Sequence, residues 1–327
     1  MSYYLITGGS GFIGSHLAEA LVLKGQNVLL LDNFDGFYSR SLKEYNVQQV
    51  LSQAKSTGAQ VELLEQDIRN QQKMEEVFSN YPISGVYHLA ALAGVRPSIE
   101  RPVEYWDVNC TGTAVLLSAM QKAGVRRLVF ASSSSVYGNS PKVPFGESQD
   151  VNNPISPYAA TKKAGELLCY NFSHLYDIHT ACIRFFTVYG PRQRPDLAIH
   201  KFSRLMLAGR SIPFFGSGQT SRDYTFVTDI VQGVLKAMEY TKDHPYEIFN
   251  LGESTTITLA DLITLLEKNL GVKAQLDRLP MQPGDVERTW ADITKSRQLL
   301  NYNPQVGKEE GMRLFCEWVK TTPGLLA

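Results

Sequence analysis

"LITGGSGFIGSHLAEAL", residues 5 to 21, runs from a short apolar stretch into a helix-length amphipathic one through Gly8, Gly11 and Gly14. Glycine permits a tight turn, close approach of backbone N–H groups to a pyrophosphate, and close packing of helix on strand, while the helix N-terminus behind the turn favours negative charge. The spacing is G-x-x-G-x-x-G rather than G-x-G-x-x-G, and alone it is a weak signal, since a structural Gly-rich turn has the same composition. Asp32 adds to it. It ends the second apolar run, "NVLLLD", eighteen residues beyond Gly14, where a carboxylate can accept hydrogen bonds from adenosine ribose hydroxyls and repel a 2'-phosphate. Strand, glycine turn, helix and carboxylate together predict a dinucleotide site that favours NAD over NADP, with Arg40 near enough in sequence to keep NADP open.

Outward from that unit, the first half of the chain alternates short apolar runs with amphipathic helix-length segments, the rhythm of a parallel α/β sheet. The expected strands are "YYLI", "NVLLLD", "VELLEQD", "GVYHLA", "RRLVFAS" and "HTACIRF", and such a set suits a doubly wound (Rossmann) sheet. After about Phe186 prolines 191, 195, 213, 280 and 283 break the alternation. We therefore expect an NAD-binding domain over 1–186 and a smaller α/β substrate-binding domain over 187–327. A helix near Asp229 to Tyr240 and the strand "EIFNLG" are expected to return to the first domain, within 227–251.

The whole chain sets bounds on partners. Its 327 residues carry 32 Lys+Arg against 32 Asp+Glu, a formal net charge of zero. Neutrality and the lack of a basic stripe speak against nucleic acid or a membrane surface as partner. The apolar runs are too short to span a bilayer or form a signal h-region, so a cytoplasmic location is expected. Cys110, Cys169, Cys182 and Cys316 form no C-x-x-C pair and read as buried thiols, and the 6 histidines show no H-x-x-x-H spacing, so no metal is expected.

A second motif carries chemistry. "SPYAATKKAGELL", residues 156 to 168, sets Tyr158 and Lys162 at i and i+4 on a helix beginning near Pro157, so the two side chains share a face. An ammonium there, with the positive charge of a nicotinamide, would lower a phenol that ordinarily titrates near pH ~10 enough to serve as a base. A Tyr-x-x-x-Lys pair also arises by chance on a solvated helix. Upstream, however, "FASSSSVYG" ends an expected strand with hydroxyls at the edge where open α/β sheets bind ligands.

With Ser, Tyr and Lys in that order, the chain resembles the extended short-chain dehydrogenase/reductases, specifically the NAD-dependent sugar-nucleotide epimerases and dehydratases. The resemblance spans nearly the full length and rests on "GGSGFIGSHL", "LDNF" (31–34), "QDIRN" (66–70), "HLAAL" (88–92), "SSSSVYG" (132–138), "YAATK" (158–162) and "SRDYTFVTDI" (221–230). It implies that Ser133 bonds the reacting sugar hydroxyl, that Tyr158 is the base, and that Lys162 orients Tyr158 and the nicotinamide ribose. For the cofactor it implies contacts from Gly8, Gly11, Phe12, Ile13 and Gly14 at the turn and from Asp32 and Asn33 after the second strand. Asp67 and Ile68 would line the adenine pocket, and Leu89, Ala90, Ala91 and Asn109 would complete the set. It also implies a homodimer packed through helices near 103–123 and 157–175.

Within the family, the positions after the catalytic serine separate reactions that share a 4-keto intermediate. The 4,6-dehydratases carry an Asp-Glu pair there, and UDP-glucuronate decarboxylases carry a Glu where Ser135 stands; this chain has Ser134 and Ser135. The resemblance thus points to 4-epimerisation of a UDP-sugar. "TVYGPRQRPDLAIHKF" (187–202) and "MQPGDVERTWAD" (281–292) resemble the corresponding segments of the UDP-glucuronate 4-epimerases, so UDP-glucuronate is the expected substrate, with UDP-galacturonate as product. The sugar carboxylate is placed near Ser134, Ser135, Thr187 and Arg194, the diphosphate near Arg222 and Arg192, with Arg96 and Asp285 as further substrate contacts. UDP-glucose or UDP-N-acetylglucosamine epimerisation is the alternative, then UDP-glucuronate decarboxylation, and from another class an NAD-binding sensor without catalysis.

Overall fold

The computed structural model describes residues 2–280, 288–322 and 324. The first half builds β1 (Tyr3–Thr7), α1 (Phe12–Leu23), β2 (Asn27–Asp32), α2 (Arg40–Thr57), β3 (Val61–Glu65), α3 (Gln71–Asn80) and β4 (Ile83–His88). There follow α4 (Val95–Glu100), α5 (Pro102–Trp106), a π turn (Asp107–Thr111), α6 (Gly112–Ala123), β5 (Arg127–Ser133), α7 (Pro157–Tyr176) and β6 (His179–Phe185). Beyond these lie β7 (Thr187–Tyr189), α8 (Ala198–Leu207), β8 (Ile212–Phe215), β9 (Ser221–Arg222), β10 (Tyr224–Phe226), α9 (Val227–Tyr240) and β11 (Tyr246–Leu251). The last elements are β12 (Ile257–Thr258), α10 (Leu259–Leu270), β13 (Leu276–Leu279), α11 (Thr294–Leu300) and α12 (Lys308–Thr321).

Seven strands form one parallel sheet in the order β11-β6-β5-β4-β1-β2-β3. The six expected strands are all in it, and the seventh is β11, hydrogen-bonded beside β6. Alternate residues feed opposite layers. Ile6, Val28 and Leu30 pack with α1, α2 and α9, whereas Leu5, Leu29 and Leu31 pack with α3, α6 and α7. Burial on both faces is why these strands read as continuous apolar runs. The chain winds outward from β1 to β3, then returns to place β4 on the other side of β1. The carboxyl ends of β1 and β4 therefore diverge, and that crevice is where open α/β sheets bind ligands.

One expected helix differs. Residues 103–123 are not continuous: the π turn at Asp107–Thr111 separates α5 from α6. The extra residue lets the Asn109 side chain reach the loop after β4, its Oδ1 accepting from Leu92 N at 2.8 Å and its Nδ2 donating to Leu92 O at 3.0 Å. All four cysteines are free and buried. No described helix is long and apolar enough to cross a membrane.

Candidate active site

The glycine turn closes against the loop after β4. Gly8 has φ +70°, and a Cβ there would lie 2.8 Å from Ala90 N. A Cβ on Gly14 would fall 2.3 Å from the Gly8 carbonyl oxygen. The turn and α1 therefore approach as only glycine allows. The helix starts at Phe12 with Gly11 as cap and no side chain satisfying its first N–H groups, which leaves them for an anion. This cradle opens into a cavity of ≈ 390 Å³ that continues past Asp32 to Ser133, Tyr158 and Thr187. Backbone donors at one end and titratable groups at the other fit a dinucleotide laid across the switch point.

Asp32, 6% exposed, ends β2 in that cavity. Its Oδ1 accepts from Phe34 N at 2.9 Å and from the buried Lys43 ammonium at 3.2 Å. Among the described residues Oδ2 accepts only from Ser10 N, at 3.2 Å. A carboxylate oxygen takes two donors, so Oδ2 retains capacity for a ribose hydroxyl. Arg40 faces elsewhere, bonded to Glu44 at 2.8 Å and to both oxygens of Glu65 at 2.9 and 2.7 Å. Further along, Asn33 Nδ2 donates to Asp67 at 3.1 Å. Hydrogen bonds from Arg69 hold the Asp67 carboxyl at about 2 despite partial burial.

The groups expected to react come from the ends of β5 and α7. Ser156 caps α7 by accepting from Ala159 N at 3.1 Å, and Pro157 starts its first turn. Gly165 lets the helix lie tight on β5, since a Cβ there would be 2.2 Å from the Phe130 ring. Lys162 is buried, and its Nζ donates to Ala131 O at 2.7 Å. Nζ also stands 5.9 Å from the Tyr158 ring centroid. Burial pulls the ammonium down to about 8. Loss of water contact raises the Tyr158 phenol, opposed by the Ser133 hydroxyl and the positive charge of Arg194. Ser133 Oγ also accepts from Ser135 N at 3.1 Å. Behind them His88 lies between Thr7 Oγ1 at 2.7 Å and Thr113 Oγ1 at 2.9 Å. Thr113 gives its own proton to Asn109 O at 2.6 Å, so His88 must donate from Nε2 and accept at Nδ1, a neutral imidazole.

The expected residues separate cleanly. Gly8, Gly11, Phe12, Ile13, Gly14, Asp32, Asn33, Asp67, Ile68, Leu89, Ala90 and Ala91 line the cavity, as do Ser133, Ser134, Ser135, Tyr158, Lys162, Thr187 and Arg194. Asn109 does not: it lies behind the wall, bonded to Leu92 and, at 2.9 Å, to Thr161 Oγ1. Arg192, expected at the diphosphate, is turned away from the cavity. Its left-handed backbone, φ 66°, directs the guanidinium to Glu19 on α1, with both bonds formed at 2.7 and 2.6 Å. Arg96 stands 5.5 Å from the Phe215 ring centroid, and Arg222 donates to the carbonyl of Ser221 at 2.9 Å; neither lines the cavity. Asp285 lies outside the described residues.

Arg194 reaches the cavity with its guanidinium held by Asp196, Nε at 3.0 Å and Nη2 at 2.7 Å, and lying 5.2 Å from the Phe37 ring. Among the cavity residues that escaped the sequence reading are Lys43, Phe37 and Tyr38. The run "NFDGFYSR" looks like any polar connection after a strand, and only the fold brings Phe37 under Arg194 and Tyr38 under Lys43.

The family described as GDP-mannose 4,6 dehydratase matches residues 5–315. A UDP-glucuronate 4-epimerase of Thermodesulfobacterium geofontis is 42% identical over 322 residues, 98% of this chain and 97% of the relative. Among solved structures, the UDP-glucuronic acid 4-epimerase of Bacillus cereus, in complex with UDP-glucuronic acid and NAD, superposes with a TM-score of 0.89 at 34% identity, covering 98% of this chain and 99% of the other. The UDP-glucose 4-epimerase of Thermotoga maritima, with UDP-glucose, gives 0.87 at 32% identity, covering 98% and 99%.

Proposed function

The chain belongs to the family described as GDP-mannose 4,6 dehydratase, and within it we propose that this protein is an NAD-dependent UDP-sugar 4-epimerase acting on UDP-glucuronate. The observation that carries the proposal is a single cavity lined by the glycine cradle, by Ser133, Tyr158 and Lys162, and by Ser134, Ser135, Thr187 and Arg194. The serines matter because a dehydration needs an acid beside the catalytic serine, and none stands at 134 or 135. A cavity-lining guanidinium and three hydroxyls suit a carboxylate. The relatives named UDP-glucuronate 4-epimerase support the same choice.

NAD, held across the cradle, supplies the redox partner that takes the sugar C4 alcohol to a ketone and back. Tyr158 as phenolate removes the proton of the 4-hydroxyl, and Ser133 holds that oxygen by hydrogen bond. The Lys162 ammonium offsets the phenolate charge. Burial disfavours that charge, so the phenolate depends on the local positive groups. After the keto sugar turns its other face, Tyr158 returns its proton to the inverted alkoxide. Hydroxyls 134, 135 and 187 offer the carboxylate equivalent contacts in both orientations, which is what a reversible inversion requires.

We assign the NAD-binding unit to 1–186 with 227–251, and most of 187–327 to the substrate-binding unit. We also propose a cytoplasmic homodimer packed through α5 and α7. Val103 is 81% and Trp106 54% exposed on α5, and Leu167 is 58% and Tyr170 55% exposed on α7. Water-facing apolar side chains on neighbouring helices favour a second copy as cover. Purified protein given UDP-glucuronate, UDP-glucose and UDP-N-acetylglucosamine in turn, with products identified by NMR, tests the function. Turnover of UDP-glucuronate to UDP-galacturonate that Tyr158→Phe abolishes with NAD retained is the expected outcome. Full activity in Tyr158→Phe overturns the mechanism.

A further inference from the structure

Ser132, Arg184 and Asn250 stand in one row across three neighbouring strands, since Ser132 on β5 is in register with Arg184 on β6, and Arg184 with Asn250 on β11. The row lies one residue before Ser133. Facing it is Glu166 of α7, four residues after Lys162 and eight after Tyr158, on the same side of the helix. Arg184 Nε and Nη2 donate to the two oxygens of Glu166 at 2.8 and 2.9 Å. Ser132 Oγ donates to Glu166 at 2.7 Å, and Arg184 Nη1 to Tyr137 OH at 3.0 Å. Tyr137 OH in turn donates to Asn250 Oδ1 at 2.7 Å. Asn250 Nδ2 continues to Phe145 O at 2.7 Å and Asp292 O at 3.1 Å.

Glu166 and Arg184 are each 1% exposed. Stability does not account for such a pair, because desolvating two charges consumes most of their attraction and well-packed apolar side chains often serve as well or better. What a bidentate pair supplies is a fixed distance and angle between planar groups. Here it fixes α7 against the end of β5. Ala131 meets Lys162, Ser132 meets Glu166, and Ser133 meets Tyr158, so three consecutive strand residues engage three helix residues spaced one turn apart.

We propose that Glu166 and Arg184 are positioning residues for the Ser133–Tyr158–Lys162 group, their buried pair setting the phase of α7 on β5 and thereby the distance over which the proton moves. The inference rests on the catalytic reading of that group given above. Neither side chain lines the cavity, so both act through the residues they hold. The Asn250 branch extends the same register to the segment around Asp292.

The test separates positioning from stability. The NAD-loaded double variant Glu166→Leu/Arg184→Met replaces the pair with apolar side chains, and is compared with wild type for Tm, bound NAD, KM and kcat on the UDP-sugar that the wild type turns over. The expected result is Tm at or near wild type, retained NAD, unchanged KM, and kcat lower by on the order of tenfold to a hundredfold, the cost of a misplacement of about 1 Å. Wild-type kcat at wild-type Tm overturns the proposal. Should the double variant not fold, Tyr137→Phe removes the acceptor of Arg184 Nη1 at a position that does not line the cavity: a severalfold kcat loss at unchanged Tm and KM supports positioning, and unchanged kcat refutes it. Tyr158→Phe assayed alongside tells the two readings apart, because its full activity sinks the catalytic assignment itself, whereas an inactive Tyr158→Phe beside a fully active network variant sinks only the positioning role.

Discussion

Removing Arg194 should change which sugar the enzyme prefers. In the structure two of its guanidinium nitrogens bind Asp196, which leaves Nη1 for a substrate carboxylate at the cavity wall. A charge-assisted hydrogen bond of this kind contributes about 1.5–3 kcal/mol, or roughly tenfold to more than a hundredfold in kcat/KM at ~1.4 kcal/mol per decade. Arg194→Ala does more than delete that bond, because it exposes the Asp196 carboxylate as a like charge near the sugar carboxylate. The kcat/KM for UDP-glucuronate should therefore fall by at least about tenfold, mostly through KM. That for UDP-glucose, which has no carboxylate, should change little. Arg194→Ala/Asp196→Ala should recover the part of the loss due to repulsion. Products need analysis as well as rates: a 4-keto glucuronate is a β-keto acid, and a carboxylate no longer held near the carbonyl plane should leave as CO2, raising the share of UDP-pentose. An unchanged ratio of the two kcat/KM values, with no UDP-pentose, would refute the assignment and make an uncharged hexose the better substrate.

Other perturbations test the remaining parts of the site. Gly14→Ala places a Cβ 2.3 Å from the Gly8 carbonyl oxygen, so α1 must shift at a cost of about 1–3 kcal/mol; the purified protein should lose most of its bound NAD absorbance, and full NAD content would show the cradle misread. Asp32→Ala should weaken NAD binding and narrow the preference over NADP in titrations, and by stranding Lys43, which is 7% exposed at its side chain, should destabilise the apoprotein by about 3 kcal/mol. His88 is held neutral by burial, its pKa lowered to about 3. Between pH ~6.5 and 3 the unfolded chain gains a proton there that the folded chain does not, so stability falls as pH falls, by up to ~1.4 kcal/mol per pH unit. In His88→Gln that slope, read from denaturant midpoints, should lessen by one proton.

Much of this site is local enough to be read from the chain. A strand, a glycine turn and a helix that must touch one another lie within residues 3–23, and Tyr158 and Lys162 sit a turn apart on one helix, so periodicity and spacing reach them. Residues whose roles depend on a distant partner are another matter. Lys43 follows the β2–α2 connection, and only the fold brings its ammonium to Asp32 at the cavity wall. Asn109 belongs to a stretch that looks like continuous helix, and the π turn that frees its side chain has no residue signature. The seventh strand was legible as an apolar run, but its place beside β6 is a property of the sheet.

The arginines of residues 184–194 show how far a cluster of charge can be interpreted. In sequence they stand close together in a neutral chain, and the family resemblance places Arg192 at the diphosphate and Arg194 at the sugar carboxylate. In the fold each has met a carboxylate of the protein itself: Arg184 with Glu166, Arg192 with Glu19 and Arg194 with Asp196. Commitment differs among them. The side chain of Arg184 is 1% exposed and that of Arg192 7%, and each bridges separate elements, so releasing either guanidinium would leave a buried charge unpaired and loosen the fold. Arg194 is 19% exposed and its partner is two residues away in the same loop, so their separation costs only a local rearrangement. A substrate anion can compete for a guanidinium only where the internal pair is hydrated and local. By that criterion Arg194 is the arginine of the run that can exchange its partner within a catalytic cycle, and Asp196→Asn, which weakens the competitor while keeping its shape, should lower KM for UDP-glucuronate and leave that for UDP-glucose unchanged. A KM that rises for both substrates would show instead that Asp196 is needed to aim the guanidinium.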